Sequence, residues 1–200
     1  MTRELYLSKP LISDQISPKQ LKVILEQLDH ACDVCDGAIV EFGCYIGTTS
    51  LFIRRLLDQR GDTREFHVYD SFEGLPVKSD ADESRAGEQF KDGELAVTKQ
   101  QFIREFKKAG LQTPVIHKGW FKDVAGYDVP DAIAFAFLDG DFYESIRDSL
   151  RLVLPRMQAG ACIVFDDYAR EALPGVEKAV RELLPGRSVA TEQNLGVIWL

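Results

Sequence analysis

The sequence predicts an α/β fold: a doubly wound, mostly parallel sheet of seven strands that ends in an antiparallel β-hairpin. Three observations predict it. Short apolar runs at 38–42, 66–70, 114–118, 132–138 and 161–165 alternate with segments of helical period. Two of these runs, 132–138 and 161–165, are apolar throughout rather than at every second residue, as strands covered on both faces are. Near the end, strand-like runs at 188–191 and 196–200 flank Gln193-Asn194, a hairpin signal.

The elements follow in order. Ser17-Pro18-Lys19-Gln20 reads as a helix start, with a capping Ser, Pro in the first turn and Gln three residues on. Leu21, Ile24, Leu25 and Leu28 then share one face. Ala38–Phe42 is the first strand and runs into a Gly-bearing turn, with a helix over Thr48–Arg60. Phe66–Asp70 is the second strand. A helix carrying Phe102, Phe106 and Ala109 precedes the third, Pro114–Lys118. Ala132–Leu138 is the fourth. Ser145 is read as the cap of a helix with Ile146, Leu150 and Val153 inward. Ala161–Phe165 is the fifth strand. The helix Val176–Leu184, with Val176, Ala179, Val180 and Leu183 on one stripe, leads to the hairpin.

Residues 77–96 break the rhythm. They are rich in Asp, Glu, Lys, Gly and Ser, with Phe90 and Leu95 as their large apolar residues. They fit either a solvated loop or a lid over the carboxyl ends of the strands. With no internal repeat and no linker, 1–200 is expected to be one domain, with 1–37 a helical N-terminal segment and 77–96 the lid loop.

A hydrophobic content of 45% suits a chain with a full core. The net charge of −8, from 32 acidic and 24 basic residues, disfavours nucleic acid as the main partner, because phosphate binding needs clustered Lys and Arg. No apolar run approaches the ~18 residues that cross a membrane. The start lacks the basic-then-apolar build of a signal peptide. A cytoplasmic protein without a membrane partner is the expectation. Cys32 and Cys35 form a lone C-x-x-C without a second pair or nearby His, so zinc is not expected and the four cysteines read as reduced thiols.

In an open α/β sheet, ligands bind beyond the carboxyl ends of the strands. The polar residues that follow the apolar runs are Glu41 and Gly43, Asp70, Gly119, Asp139, and Asp166-Asp167. The first turn, Glu41-Phe-Gly-Cys-Tyr-Ile-Gly47, lacks the G-x-G-x-x-G dinucleotide fingerprint. Gly43 would let the backbone pass close to a ligand, and Gly47 would let the next helix begin tightly. Amides near that helix start could meet a carboxylate. Asp70, closing the second strand, is placed to accept the hydroxyls of a ribose. Trp120 or Phe121 could flank an adenine, and both could as easily be core.

Asp139, Asp166 and Asp167 follow neighbouring strands, and like charges so close need a cation or a proton. Three carboxylates suit Mg²⁺, with Mn²⁺ or Ca²⁺ also compatible; helix capping by Asp166 or Asp167 is the alternative. Asp141, two residues from Asp139, is a candidate general base or an acid that orients the ligand. His30, at a helix end, reads as structural, His67 lies in a strand, and His117 lies at the end of the third strand.

A doubly wound, Rossmann-like sheet closed by a hairpin is what the class I methyltransferase fold looks like. The segments "VEFGCYIGTTS", "VYDSFEGLP", "FLDGDFYES" and "IVFDDY", in this order, resemble the macrocin O-methyltransferase family over Val40 to Val180. The first turn and paired acids are also similar to those of catechol O-methyltransferase. The resemblance implies S-adenosylmethionine (SAM) contacts from Glu41, Gly43, Tyr45, Thr48, Asp70 and Ser71; Trp120 and Asp139 are further candidates for the cofactor site. It implies Mg²⁺ ligation by Asp139, Asp166 and Asp167, with Asp139 and Asp141 at the chemistry. The implied reaction is O-methylation of a hydroxyl on a sugar or other small natural product; a homodimer is left open. Two rivals stand at this point. One is a nicotinamide-dependent oxidoreductase or epimerase, against which the missing fingerprint and the hairpin speak. The other is a non-catalytic SAM-binding protein.

Overall fold

The computed structural model describes Leu5 and residues 7–200. A seven-stranded sheet runs through it in the order β3-β2-β1-β4-β5-β7-β6. The strands are β1 (Ala38–Phe42), β2 (Phe66–Asp70), β3 (Val115–Lys118), β4 (Ile133–Leu138), β5 (Met157–Phe165), β6 (Ala190–Glu192) and β7 (Leu195–Trp199). The first five pair in parallel, and β7 lies antiparallel to both β5 and β6. The predicted sheet is therefore present, hairpin included. Gln193 and Asn194 both have positive φ, 53° and 67°, as a tight two-residue hairpin turn requires.

Among the described residues, five helices cover the sheet: α1 (Pro18–Val34), α2 (Thr48–Arg60), α3 (Lys99–Ala109), α4 (Tyr143–Val153) and α5 (Pro174–Leu183). Every residue of β1 and β4 is buried, which explains their unbroken apolar character apart from Glu41. One core packs α1, α2 and α3 on one side of the sheet through Leu25, Leu28, Phe52, Leu56, Phe102 and Phe106. The other packs α4 and α5 through Ile146, Leu150, Val176 and Val180.

The Ser17 capping box forms as expected, with Gln20 as its third-position partner. Three expectations are corrected. First, β5 begins at Met157, four residues early, because its polar start still pairs with β4, Met157 aligning with Ile133. Second, β6 spans only Ala190–Glu192, where the ladder to β7 is made. Third, Ser145 is not a cap. The helix begins at Tyr143, and the acceptor for the Tyr143 amide is Asp82, far away in sequence.

That last contact bears on residues 77–96. The segment holds two short 3₁₀ turns, Asp80–Asp82 and Arg85–Gly87. Asp82 is fully buried: one carboxylate oxygen accepts from the Tyr143 amide at 2.7 Å, the other from the Ser79 amide and hydroxyl. Ser84 donates to the Glu171 carbonyl at 2.9 Å. The segment is thus tied down at its middle, beside the starts of α4 and α5. The four cysteines are free thiols, and burial pushes Cys32 up to about 11. No described helix is long and apolar enough to cross a membrane.

Candidate active site

A cleft opens above the carboxyl ends of β1, β2, β4 and β5. Its walls include Gly43, Tyr45, Asp70, Ser71, Trp120, Phe121, Asp139, Asp141, Asp166 and Asp167. Most of the residues singled out from the sequence therefore meet in one place. The register explains why. Phe42 aligns with Leu138, and Leu138 with Phe165, so β1, β4 and β5 end level and deliver their next residues side by side.

The first turn is built around Asp70. The Cys44 and Tyr45 amides donate to one carboxylate oxygen of Asp70 at 2.8 and 3.1 Å, and the Phe72 amide donates to the other at 2.7 Å. Amides expected to be free for a ligand carboxylate are thus partly taken by Asp70. Three charge-assisted bonds fix this side chain at the rim of the cleft, with lone pairs left for further donors. Gly43 (φ +87°) also has a different reason from the one expected. A Cβ there would lie 1.9 Å from the Asp139 carbonyl oxygen, so the glycine lets β1 and β4 converge. At Gly47 (φ +97°) a Cβ would come within 2.8 Å of the Phe102 ring, so the residue seats the α2 start against α3.

Glu41 and Thr48 stand apart from the main cleft, in a smaller adjoining cavity. Glu41 is 1% exposed and accepts from the Ser50 hydroxyl in α2. Its desolvation pushes the carboxyl up to about 8. Thr48 hydrogen-bonds Ser13 at 2.7 Å. Trp120 and Phe121 both line the cleft, and Phe121 stands edge-on to Phe42 at 5.2 Å. Ser145, displaced from its expected capping role, is another cleft residue. Of the histidines, His30 packs edge-on to Trp199, while His67 and His117 bond each other at 3.0 Å, outside the cleft.

The four acids at the ends of β4 and β5 dominate the electrostatics. Asp166 and Asp167 are each 6% exposed. Desolvation raises all four carboxyls, and mutual repulsion adds to it at three of them. Asp139 is held well above the ordinary range, with Asp166 its strongest repelling neighbour. Asp141 is pushed up to about 7 and Asp166 up to about 8, each with Asp167 as the leading repulsion. Asp167 is raised as well, against the pull of Arg170. Such a cluster calls for a proton or a cation.

The expected ligand trio shares the cleft, with Asp166 and Asp167 turned to other partners. Among the described residues no three His, Cys, Asp or Glu side chains are disposed to hold one. The reason is local. Arg170 bonds both oxygens of Asp167 at 3.0 Å, and Asp166 Oδ1 accepts from the Gln20 amide at 3.3 Å and the Asp167 amide at 2.9 Å. The Asp139 carboxylate receives no hydrogen bond among the described residues. The donor set itself, oxygen-only and under-neutralised, suits a hard divalent cation.

Sequence reasoning missed Gln15, Gln20 and Arg170. Gln15 and Arg170 line the cleft, and Gln20 reaches Asp166 from the α1 start. Gln20 was legible only as a cap; Arg170 carried no signal beyond standing three residues after Asp167.

Known proteins resemble this chain in sequence and in fold. The family described as macrocin-O-methyltransferase (TylF) matches residues 15–194. A 4'-O-methyltransferase of Streptomyces olivaceus that acts on 8-demethyl-8-(2,3-dimethoxy-alpha-L-rhamnosyl)-tetracenomycin-C is 38% identical over 148 residues, which are 70% of this chain and 56% of the relative. Demethyldecarbamoylnovobiocin O-methyltransferase of Streptomyces niveus is 30% identical over 82% of this chain and 65% of its own length. This chain therefore spans between about half and two thirds of those two relatives. The solved O-methyltransferase NovP superposes with a TM-score of 0.79 at 25% identity, over 92% of this chain and 80% of NovP. Calicheamicin methyltransferase CalS11, at 20% identity and a TM-score of 0.75, shares the fold over 99% of this chain and 89% of its own. With a match over residues 15–194, this chain belongs to the macrocin-O-methyltransferase family.

Proposed function

We propose that the protein is a SAM-dependent O-methyltransferase acting on a hydroxyl of a sugar or other small natural-product acceptor, assisted by a divalent cation, with Mg²⁺ the first choice. The observation that carries this reading is the meeting of the Asp70-braced turn and the β4/β5 acids in one cleft. Relatives that methylate a rhamnosyl tetracenomycin and mycinamicin III support the acceptor class. SAM supplies an electrophilic methyl on a sulfonium, and a divalent cation would lower the basicity of the acceptor hydroxyl.

The chain's own residues then have distinct tasks. Asp70 and Ser71 accept the ribose hydroxyls, at the β2 end of the cleft. Trp120 and Phe121 offer aromatic faces to the adenine. Gly43 and Tyr45 border the methionine part, and the acidic lining favours the positive sulfonium. Asp139, Asp166 and Asp167 would hold the cation at the β4 and β5 ends, where it would supply positive charge to the acceptor hydroxyl. Asp141, two residues beyond Asp139 in the cleft wall, takes the hydroxyl proton as the bond to carbon forms. Leu75, Phe90 and Leu95, carried by the 71–96 stretch, exclude water from the cleft.

The test is transfer of radiolabelled methyl from SAM to a panel of rhamnosides and phenols, with Mg²⁺ or with EDTA. Incorporation that requires Mg²⁺ is expected. Undiminished transfer in EDTA would remove the cation from the mechanism, and failure of S-adenosylhomocysteine (SAH) to perturb tryptophan fluorescence would remove the cofactor.

A further inference from the structure

Five carboxylates line the cleft, from Asp70, Asp139, Asp141, Asp166 and Asp167, against one cationic side chain among the described residues, Arg170. Its position is specific. A single guanidinium nitrogen, Nη1, lies 3.0 Å from each oxygen of Asp167. A nitrogen equidistant from both oxygens covers the mouth of the carboxylate, so neither oxygen is open to another cation. The pair is unequal in burial: the Asp167 side chain is 9% exposed and that of Arg170 is 42% exposed. Arg170 can therefore withdraw into solvent without leaving a buried charge of its own, whereas Asp167 cannot. The same guanidinium lies over the Phe90 ring of the 77–96 segment, its carbon 5.1 Å from the centroid, so a shift away from Asp167 need not give up the aromatic contact.

We infer that Arg170 holds the place of the divalent cation at Asp167 and must leave that carboxylate before the cation binds. The inference rests on the metal-assisted reading above and adds an exchange to it: one positive charge departs as another arrives. It also gives Asp166 a defined share. Its Oδ1 already has two donors, so only Oδ2 is available to the ion. While Arg170 is in place, the acids are partly neutralised and Asp167 is closed to other cations.

The sign of one measurement decides the matter. A residue that merely orients Asp167 would weaken metal binding when removed, whereas a competitor would strengthen it. Mn²⁺ binding to wild type, Arg170→Met, Arg170→Lys and Asp139→Asn is followed by electron paramagnetic resonance, without SAM or acceptor. Arg170→Met is expected to bind Mn²⁺ at least about tenfold more tightly than wild type, the effect of removing a cation from contact distance at a partly solvated site. Arg170→Lys, which keeps the charge but not the planar fork, is expected to fall between them. Asp139→Asn should lose binding, which ties the signal to this cleft. Equal or weaker binding by a folded Arg170→Met, with wild type binding normally, would overturn the inference alone. Absence of Mn²⁺ binding by both wild type and Arg170→Met would overturn the metal-assisted reading, and this inference with it.

Discussion

The Asp82 carboxylate accepts the Tyr143 amide hydrogen at 2.7 Å, 61 residues away in sequence. Through this bond the 77–96 segment caps the helix that immediately follows Asp139 and Asp141. Asp82→Ala leaves the first amide of α4 without its acceptor in a buried setting. A loss of about 1–3 kcal/mol is expected in chemical denaturation. Hydrogen exchange should speed up in both 77–96 and the α4 start. Unchanged exchange in α4 would show that the cap does not hold it.

Asp70 braces the first turn through the Cys44, Tyr45 and Phe72 amides. Asp70→Asn keeps the size but gives up one acceptor oxygen. Loss of charge-assisted bonds worth roughly 1.5–3 kcal/mol should weaken SAH binding on the order of ten- to a hundredfold. Calorimetric titration checks it. Wild-type affinity in the variant would exclude the ribose role.

Asp139 faces the cleft without a hydrogen-bond donor and with other carboxylates around it. Asp139→Asn should raise the melting temperature of the metal-free protein, since it relieves repulsion in a desolvated cluster; about 1 kcal/mol is a reasonable scale. The same variant should lose Mg²⁺-stimulated methyl transfer and keep SAH affinity within about threefold of wild type. A lower melting temperature would mean that the acids are not in electrostatic conflict.

Glu41 gives a prediction in pH. Its carboxyl is pushed up to about 8 in the folded protein, chiefly by desolvation, against about 4.3 in an unfolded chain. Between those values the folded state holds a proton that the unfolded state has released. Stability is therefore fully present below about pH 4 as far as this group is concerned, and is lost as pH rises through 8. Denaturation midpoints measured from pH 6 to 9 should fall for wild type and fall less for Glu41→Gln, which keeps the contact to Ser50. Parallel slopes would reject the assignment.

How much of this was legible beforehand depends on whether the signal is local. The apolar runs of β1, β4 and β5 announced buried parallel strands, because a strand covered on both faces has few places for a polar residue. Gln193-Asn194 announced the hairpin because few residue pairs accept two positive φ values. The polar residues at strand ends announced the cleft through the general rule of α/β sheets. What stayed hidden was pairing across distance. Asp82 stands in a stretch of acids and looks solvated, yet it is the one that is fully buried, because α4 needs a cap. Ser145 carried the local signature of a cap and lost that place to it. The trio of Asp139, Asp166 and Asp167 read as three equal ligands, whereas each has a different partner: no donor, Gln20 with a backbone amide, and Arg170. Only tertiary placement distinguishes them.

The amide group of Gln20 serves two masters. Its oxygen accepts from the Ser17 amide at 3.0 Å to close the α1 capping box, and its nitrogen donates to Asp166. Helix ends are the first parts of a helix to open on warming. Each opening of the α1 start therefore also takes from Asp166 one of its two donors, so fraying becomes a source of positional noise at the acids. Heat should accordingly blunt the site before it melts the sheet, with the thermal limit of activity set by a single turn of helix rather than by the core.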